Sequence, residues 1–145
     1  MGGRYNNSLV SGDVTVTISG DAKNFDRISG NGSFLENTGV SSLIVDTIVN
    51  VAVLDGIDKL TISDGSQLNL TDADFAGLTE ICFDLGDGVL DTADWTALTG
   101  VSLDNFNGVK FMVDDTEMIL ADGVYSGSGF KVYEEDNKIK FAKLA

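Results

Sequence analysis

Apolar and polar residues alternate along much of this chain with the two-residue period of a half-buried β-strand. Val14-Thr15-Val16-Thr17-Ile18 shows the pattern most cleanly, because successive side chains of an extended strand point to opposite faces. The same reasoning predicts strands at Ser42-Leu43-Ile44-Val45, with the apolar character continuing over 48–54, at Leu60-Thr61-Ile62, at Ile81-Cys82-Phe83 and at Val101-Ser102-Leu103. Gly30-Asn31-Gly32-Ser33, Asp64-Gly65-Ser66 and Gly86-Asp87-Gly88 punctuate them as turns, since Gly, Asn and Asp tolerate the backbone of tight reversals.

An internal repeat overlies this alternation. Leu70-Thr71-Asp72-Ala73-Asp74-Phe75-Ala76-Gly77-Leu78-Thr79-Glu80-Ile81 aligns without a gap on Leu90-Asp91-Thr92-Ala93-Asp94-Trp95-Thr96-Ala97-Leu98-Thr99-Gly100-Val101, an offset of 20 residues. A third copy precedes them at an offset of 21, with Val49, Ala52, Leu54, Ile57 and Leu60 on Leu70, Ala73, Phe75, Leu78 and Ile81. Phe106-Asn107-Gly108-Val109 echoes the unit, as do Phe25 and Ile28. Thr71/Asp72 and Asp91/Thr92 are N-cap residue types, and the aromatic and Leu that follow are three apart, on one face of a helix. Each unit is therefore expected to be a strand, a turn, one short helical or 3-10 turn, and then the next strand. So short a unit cannot bury its own apolar face and must stack on its neighbours. The expected fold class is mainly β: a solenoid-like stack of units of about 20 residues.

After residue 109 the texture changes. Residues 109–113, 116–120 and 130–133 are strand-like, and Phe130-Lys131-Val132-Tyr133, Glu134-Glu135-Asp136-Asn137 and Lys138-Ile139-Lys140-Phe141 predict a C-terminal β-hairpin. The expected organisation is a single domain over 1–145, with N-terminal strands over 1–48, repeats over 49–111 and a β-cap over 112–145.

Composition narrows the partners. The 145 residues suffice for one core, and 43% apolar residues argue for folding despite a net charge of −14. Of the 23 acids, 18 are Asp, mostly beside Gly, Asn, Ser or Thr, where Asp makes turns. There is no proline. That suits backbone donors committed to a sheet, although compositional drift also produces it. Residues 13–122 hold 20 acids and 4 bases, whereas 123–145 hold 3 acids and 4 lysines. Nucleic acid is thus an unexpected partner, as binding phosphates needs a basic face. No stretch reaches the apolar length of a membrane span. The start of the chain has no apolar core of a Sec signal. One cysteine, Cys82, excludes an internal disulfide and reads as a buried, inert thiol.

Catalysis is not expected. The chain has no histidine, hence no Ser-His-Asp or Cys-His pair, and no phosphate-cradling glycine loop. Paired acids such as Asp72/Asp74 or Asp114/Asp115 read as solvated turn residues. Phe75, Trp95 and Phe106 sit at apolar phases and read as core. The Thr-Val-Thr run does not recur at one unit position, so it makes no threonine array.

The best chemical candidate is the run from Asp84 to Asp94. Asp87-Gly88, Asp91 and Asp94 carry the spacing of the second half of an EF-hand or dockerin loop, which this stretch resembles. That resemblance implies calcium held by Asp84, Asp87, Asp91 and Asp94. Asp84 takes the first position only if one residue is deleted, because Phe83 and Leu85 otherwise fall on ligand positions. A plain tight turn is the competing reading. More widely, the Leu-x-x-Ala-Asp-(Phe/Trp)-x-x-Leu-Thr-x-(Ile/Val) unit of residues 49–111 resembles repeats of bacterial surface proteins, S-layer proteins and adhesins exported by type I systems. It departs from the Gly-Gly-x-Gly-x-Asp repeat of RTX proteins and from the leucine-rich frame. The resemblance implies an extracellular, non-enzymatic protein that self-assembles into a lattice or filament through β-edge and solenoid-end contacts. The alternative is a monomeric adhesin-type module binding a glycan or protein, with calcium as the one cofactor in view.

Overall fold

The computed structural model describes residues 15–29, 41–85 and 94–143. The strands, in chain order, are β1 (Thr15–Ser19), β2 (Lys23–Ser29), β3 (Ser42–Asp46), β4 (Ile48–Asp55), β5 (Lys59–Ser63), β6 (Gln67–Asp74) and β7 (Glu80–Asp84). They continue as β8 (Asp94–Thr99), β9 (Lys110–Val113), β10 (Thr116–Glu117), β11 (Ile119–Ala121), β12 (Val124–Gly127), β13 (Phe130–Glu135) and β14 (Lys138–Lys143). The expectation of a mainly β chain holds. Among the described residues the one helical element is a 3-10 turn at Leu103–Phe106.

The strands divide between two mixed sheets. The six-stranded sheet runs β1-β3-β5-β7-β9-β10, and the eight-stranded sheet runs β11-β12-β13-β14-β8-β6-β4-β2. From β1 to β9 successive strands alternate between the sheets, and every pairing within that stretch is parallel. The core lies between the sheets as rows of stacked side chains. In the six-stranded sheet, register places Val16, Leu43, Leu60, Ile81 and Phe111 in one row and Ile18, Val45, Ile62 and Phe83 in the next. All but Val16 are buried. Their outward neighbours are mostly polar, which is why these parallel strands keep the alternation of half-buried ones.

Where the repeat predicts a short helical or 3-10 turn after Thr71/Asp72 and after Asp91/Thr92, no helix is formed among the described residues. β6 stays extended to Asp74 and is followed by a tight turn in which Leu78 N donates to Phe75 O at 3.0 Å. Trp95 and Leu98 both lie in β8. The three-residue apolar spacing that suggests a helical face has a different cause: strands that bend. In β4, Val49 and Val51 point inward, and the next inward residue is Leu54. Ladder pairing between β4 and β6 skips the Ala52/Thr71 step at this point. Phe25/Ile28 and Leu70/Ala73 repeat the break in register with Val51/Leu54. In β8, Ile139 pairs with Leu98 but Lys140 pairs with Thr96, leaving Ala97 as a bulge residue. The bulge turns Trp95, Ala97 and Leu98 all inward.

The sequence copies also fail to stack on one another. Leu68 pairs with Leu98, and Ile81 pairs with Phe111, both offsets of 30 residues. The offset of 21 survives in one sheet, where Leu60 pairs with Ile81. In the other, Val49 pairs with Leu68, an offset of 19. The difference is absorbed in a corner, where 56–58 after β4 becomes 75–79 after β6. After β8 the corresponding corner spans 100–109 and holds the 3-10 turn, so Val101-Ser102-Leu103 is a corner and not the predicted strand.

The C-terminal part is a meander of hairpins. The predicted hairpin is present, with longer strands and a two-residue turn at Asp136-Asn137. Residues 116–120 do not form one strand: β10 belongs to one sheet and β11 to the other, with buried Met118 between them. β14 pairs antiparallel with β8, and β10 with β9, so both parallel runs end against antiparallel strands.

Aromatic rings fill the junction. Phe83 lies 4.9 Å from Phe141 and 5.9 Å from Trp95, centroid to centroid, and Phe111 stacks on Tyr125 at 4.0 Å. Trp95 Nε1 donates to Ser66 O at 2.6 Å, satisfying the indole in the core. The sequence reading of Phe75, Trp95 and Phe106 as core is borne out, since all three are buried.

Candidate functional site

Of the four acids expected to hold calcium, Asp84 closes β7 and is exposed, and Asp94 opens β8. Asp87 and Asp91 lie outside the described residues, as do the turns expected at 30–33 and 86–88. Among the described residues no group of three or more His, Cys, Asp or Glu side chains is arranged to hold a metal ion. The end of β7 is organised instead by Asp114, a non-glycine residue with φ of 50°. Its N–H donates to Phe83 O at 3.0 Å and its carboxylate accepts from Leu85 N at 2.9 Å.

Cys82 faces outward from the six-stranded sheet and is half-buried, not enclosed as the apolar run suggested. Its place follows from strand phase: Ile81 and Phe83 take the inward positions, leaving Cys82 between them on the outer face. Burial comes first in pushing its thiol up to about 11, and the charges of Asp84 and Glu80 add to this. Its Sγ–H points to Asp114 O at 3.6 Å. The thiol is therefore a poor nucleophile, although it is not enclosed.

The outer faces carry two kinds of ladder. On the six-stranded sheet, Thr15, Ser42, Lys59, Glu80 and Lys110 are in register, and Lys59 Nζ lies 3.3 Å from Glu80 Oε2. On the eight-stranded sheet a row of three asparagines, ended by the Thr99 hydroxyl, crosses four strands. Thr99 Oγ1 donates to Asn69 Oδ1 at 2.8 Å, Asn69 Nδ2 to Asn50 Oδ1 at 2.8 Å, and Asn50 Nδ2 to Asn24 Oδ1 at 2.9 Å. Gln67 Nε2 adds a further donor to Asn69 Oδ1 at 2.7 Å. Identical amides in register satisfy one another along the stacking direction, and so lock it. Sequence reading missed this row. Its trace is an Asn flanked by aliphatic residues, Val49-Asn50-Val51 and Leu68-Asn69-Leu70, at the spacing that the ladder uses.

The ends of the sheets are the other distinctive surface. Among the described residues β1 and β10 are the outer strands of one sheet, and β2 and β11 those of the other. An outer strand presents unpaired N–H and C=O groups to any strand laid beside it. β11 carries Ile119 and Leu120, two of the three exposed large apolar side chains among the described residues. No helix of the described residues is long and apolar enough to cross a membrane. Comparison with known proteins gives no match to a family model, a curated protein or a solved structure.

Proposed function

We propose that this chain is a non-enzymatic structural protein of the cell surface, which builds a filament or lattice from copies of itself. The observation that carries the reading is the alternation of β1 to β9 between the two sheets, with every pairing in that stretch parallel. We read each passage through one strand of either sheet as one coil of a solenoid, irregular at its corners. Such a stack does not close on itself, so each end offers strand edges. A heterologous contact between unlike ends propagates instead of closing. A surface charge of this size keeps free subunits soluble until the ends meet.

Light scattering and negative-stain microscopy of purified protein, in EGTA and then in millimolar calcium, test the proposal. High-mass species whose fraction rises with concentration, seen as filaments or sheets, are the expected result. Assembly only in calcium would bring Asp84, Asp87, Asp91 and Asp94 into the contact. A monodisperse monomer in both buffers at the highest concentration would overturn self-assembly and favour a monomeric binding module, for which glycan and protein ligands would then be screened.

A further inference from the structure

We infer that the two ends of the eight-stranded sheet are complementary, with β11 of one copy seating in parallel beside β2 of the next. The inference rests on the self-assembly reading and specifies the contact. It begins from the point where the core runs out. Register links Trp95, Phe141, Val132, Tyr125 and Leu120 in one inward row. Their exposures are 6%, 0%, 0%, 9% and 54%, so Leu120 continues the core row but is left uncovered at its end. Ile119, 64% exposed, projects from the opposite face of the same strand. Among the described residues β11 has β12 as its one strand neighbour. The strand carries no Lys or Pro of the kind that protects sheet edges.

The other end of the sheet offers a match in direction, facing and charge. β2, β4, β6 and β8 are parallel, and β14, β13, β12 and β11 reverse in turn. β11 therefore runs in the direction of β2, and a copy displaced along the sheet brings the two side by side in parallel. Seating Leu120 beside Phe25 puts two inward residues on one side and Ile119 beside Asn24 on the other. Asn24 accepts from Asn50 through Oδ1, and its own Nδ2 hydrogens take no partner among the described residues. The same seating sets Asp122 beside Arg27 and Met118 beside Lys23. β11 is bracketed by Asp114, Asp115, Glu117 and Asp122, with no base between Lys110 and Lys131, whereas β2 holds Lys23 and Arg27 around Asp26, with Arg27 Nη2 2.7 Å from Asp55 Oδ2. A symmetric β11–β11 contact would instead bring the acids of two copies together, so charge favours the unlike pair.

Disulfide trapping tests the contact in full-length chain carrying Cys82→Ser. Ile119→Cys and Asn24→Cys are prepared separately and mixed under a mild oxidant, which takes up the two electrons released as the S–S bond forms. A covalent dimer in the mixture and none from either variant alone is the expected result. A dimer from Ile119→Cys alone would place β11 against β11 and overturn the pairing. High-mass species from the Cys82→Ser protein without any trapped dimer would leave self-assembly standing and remove this contact. A Cys82→Ser protein that stays monomeric would remove both. Leu120→Lys supplies a second readout, with at least a tenfold loss of the high-mass fraction in sedimentation velocity and no change in the circular dichroism spectrum. Retention of that fraction would count against β11.

Discussion

In the C-terminal meander each reversal is written in two adjacent residues, whereas in the parallel part no two described corners on the β4, β6 and β8 side have the same length. Asp122-Gly123, Ser128-Gly129 and Asp136-Asn137 all have positive φ, from 53° to 85°. That backbone matches the twist of the flanking antiparallel strands and sets their register locally. The corners 56–58, 75–79 and 100–109 hold no adjacent pair of positive-φ residues, only the isolated Gly56, Gly100 and Gly108. Register there comes from residues about 17 to 30 positions apart: inward apolar rows, the asparagine row, and turn contacts such as Thr79 N to Asp58 O at 2.8 Å. One kind of β-structure is encoded next door and the other only across the stack. Long-range pairing also implies slower folding for the parallel part than for the hairpins.

The junction of the two regions should be the most sensitive point. Phe83 of β7 is fully buried and touches Trp95, Phe111 and Phe141. Phe83→Ala should cost about 3–5 kcal/mol in a urea melt, because it leaves a cavity lined by both regions. A loss under 1 kcal/mol would show that they do not share a core.

A matched pair of glycines separates the regions more finely. Gly100 and Gly123 have nearly the same φ, 83° and 79°. A Cβ on Gly100 would overlap the Leu70 carbonyl, whereas one on Gly123 would meet nothing within 4 Å. Gly100→Ala should therefore destabilise by about 3 kcal/mol, from steric overlap added to strained backbone. Gly123→Ala should cost about 1 kcal/mol, from conformation alone. Equal losses would refute the claim that β8 is held by close approach and the meander by local turns.

The asparagine row gives an intermediate test. Asn50 donates to Asn24 and accepts from Asn69, so Asn50→Ala removes two hydrogen bonds and should cost about 1–2 kcal/mol. Hydrogen exchange should quicken in β2 and β6 and leave β12 and β13 unchanged. Equal quickening in the meander would mean that the row does not act on the parallel part alone.

The smallest effect concerns Cys82, a probe of the outer parallel face. With its thiol pushed up to about 11, alkylation at pH 8 should run roughly tenfold slower than in the unfolded chain, after allowing for the greater nucleophilicity of a more basic thiolate. The sign for stability follows from the raised value. The contribution is fully present below the unfolded thiol pKa and is lost as pH climbs through about 11. Alkylation as fast as in urea would mean that the thiol is not held by Asp84, Glu80 and burial.

Strand positions were legible where a single phase of alternation persists. Thr15–Ser19, Ser42–Asp46, Lys59–Ser63 and Glu80–Asp84 all fall where two-residue periodicity places strands. It failed in β6 and β8, where a bend or bulge changes the inward phase and counterfeits the spacing of a helix. The repeat was legible as a pattern but misleading as an alignment. Phe75 sits in a corner and Trp95 within a strand, although the copies put them in one column. Of the candidate site, the sequence supplied four acids. The asparagine row and the exposed β11 edge emerged only from pairing.

What this sequence determines by itself is local. It sets β-structure through alternating Val, Ile, Leu and Thr, turns through Asp, Gly and Asn, a C-terminal hairpin, and an acidic surface with no histidine. Tertiary structure decided the rest: which strands share a sheet, that those from β1 to β9 pair in parallel, that their offsets are 17, 19, 21, 26, 27 and 30, and which edges remain open. The physical reason is that side-chain pattern specifies a face, whereas a parallel ladder also needs a partner. The partner is chosen by which residues stack across corners whose length leaves no periodic trace.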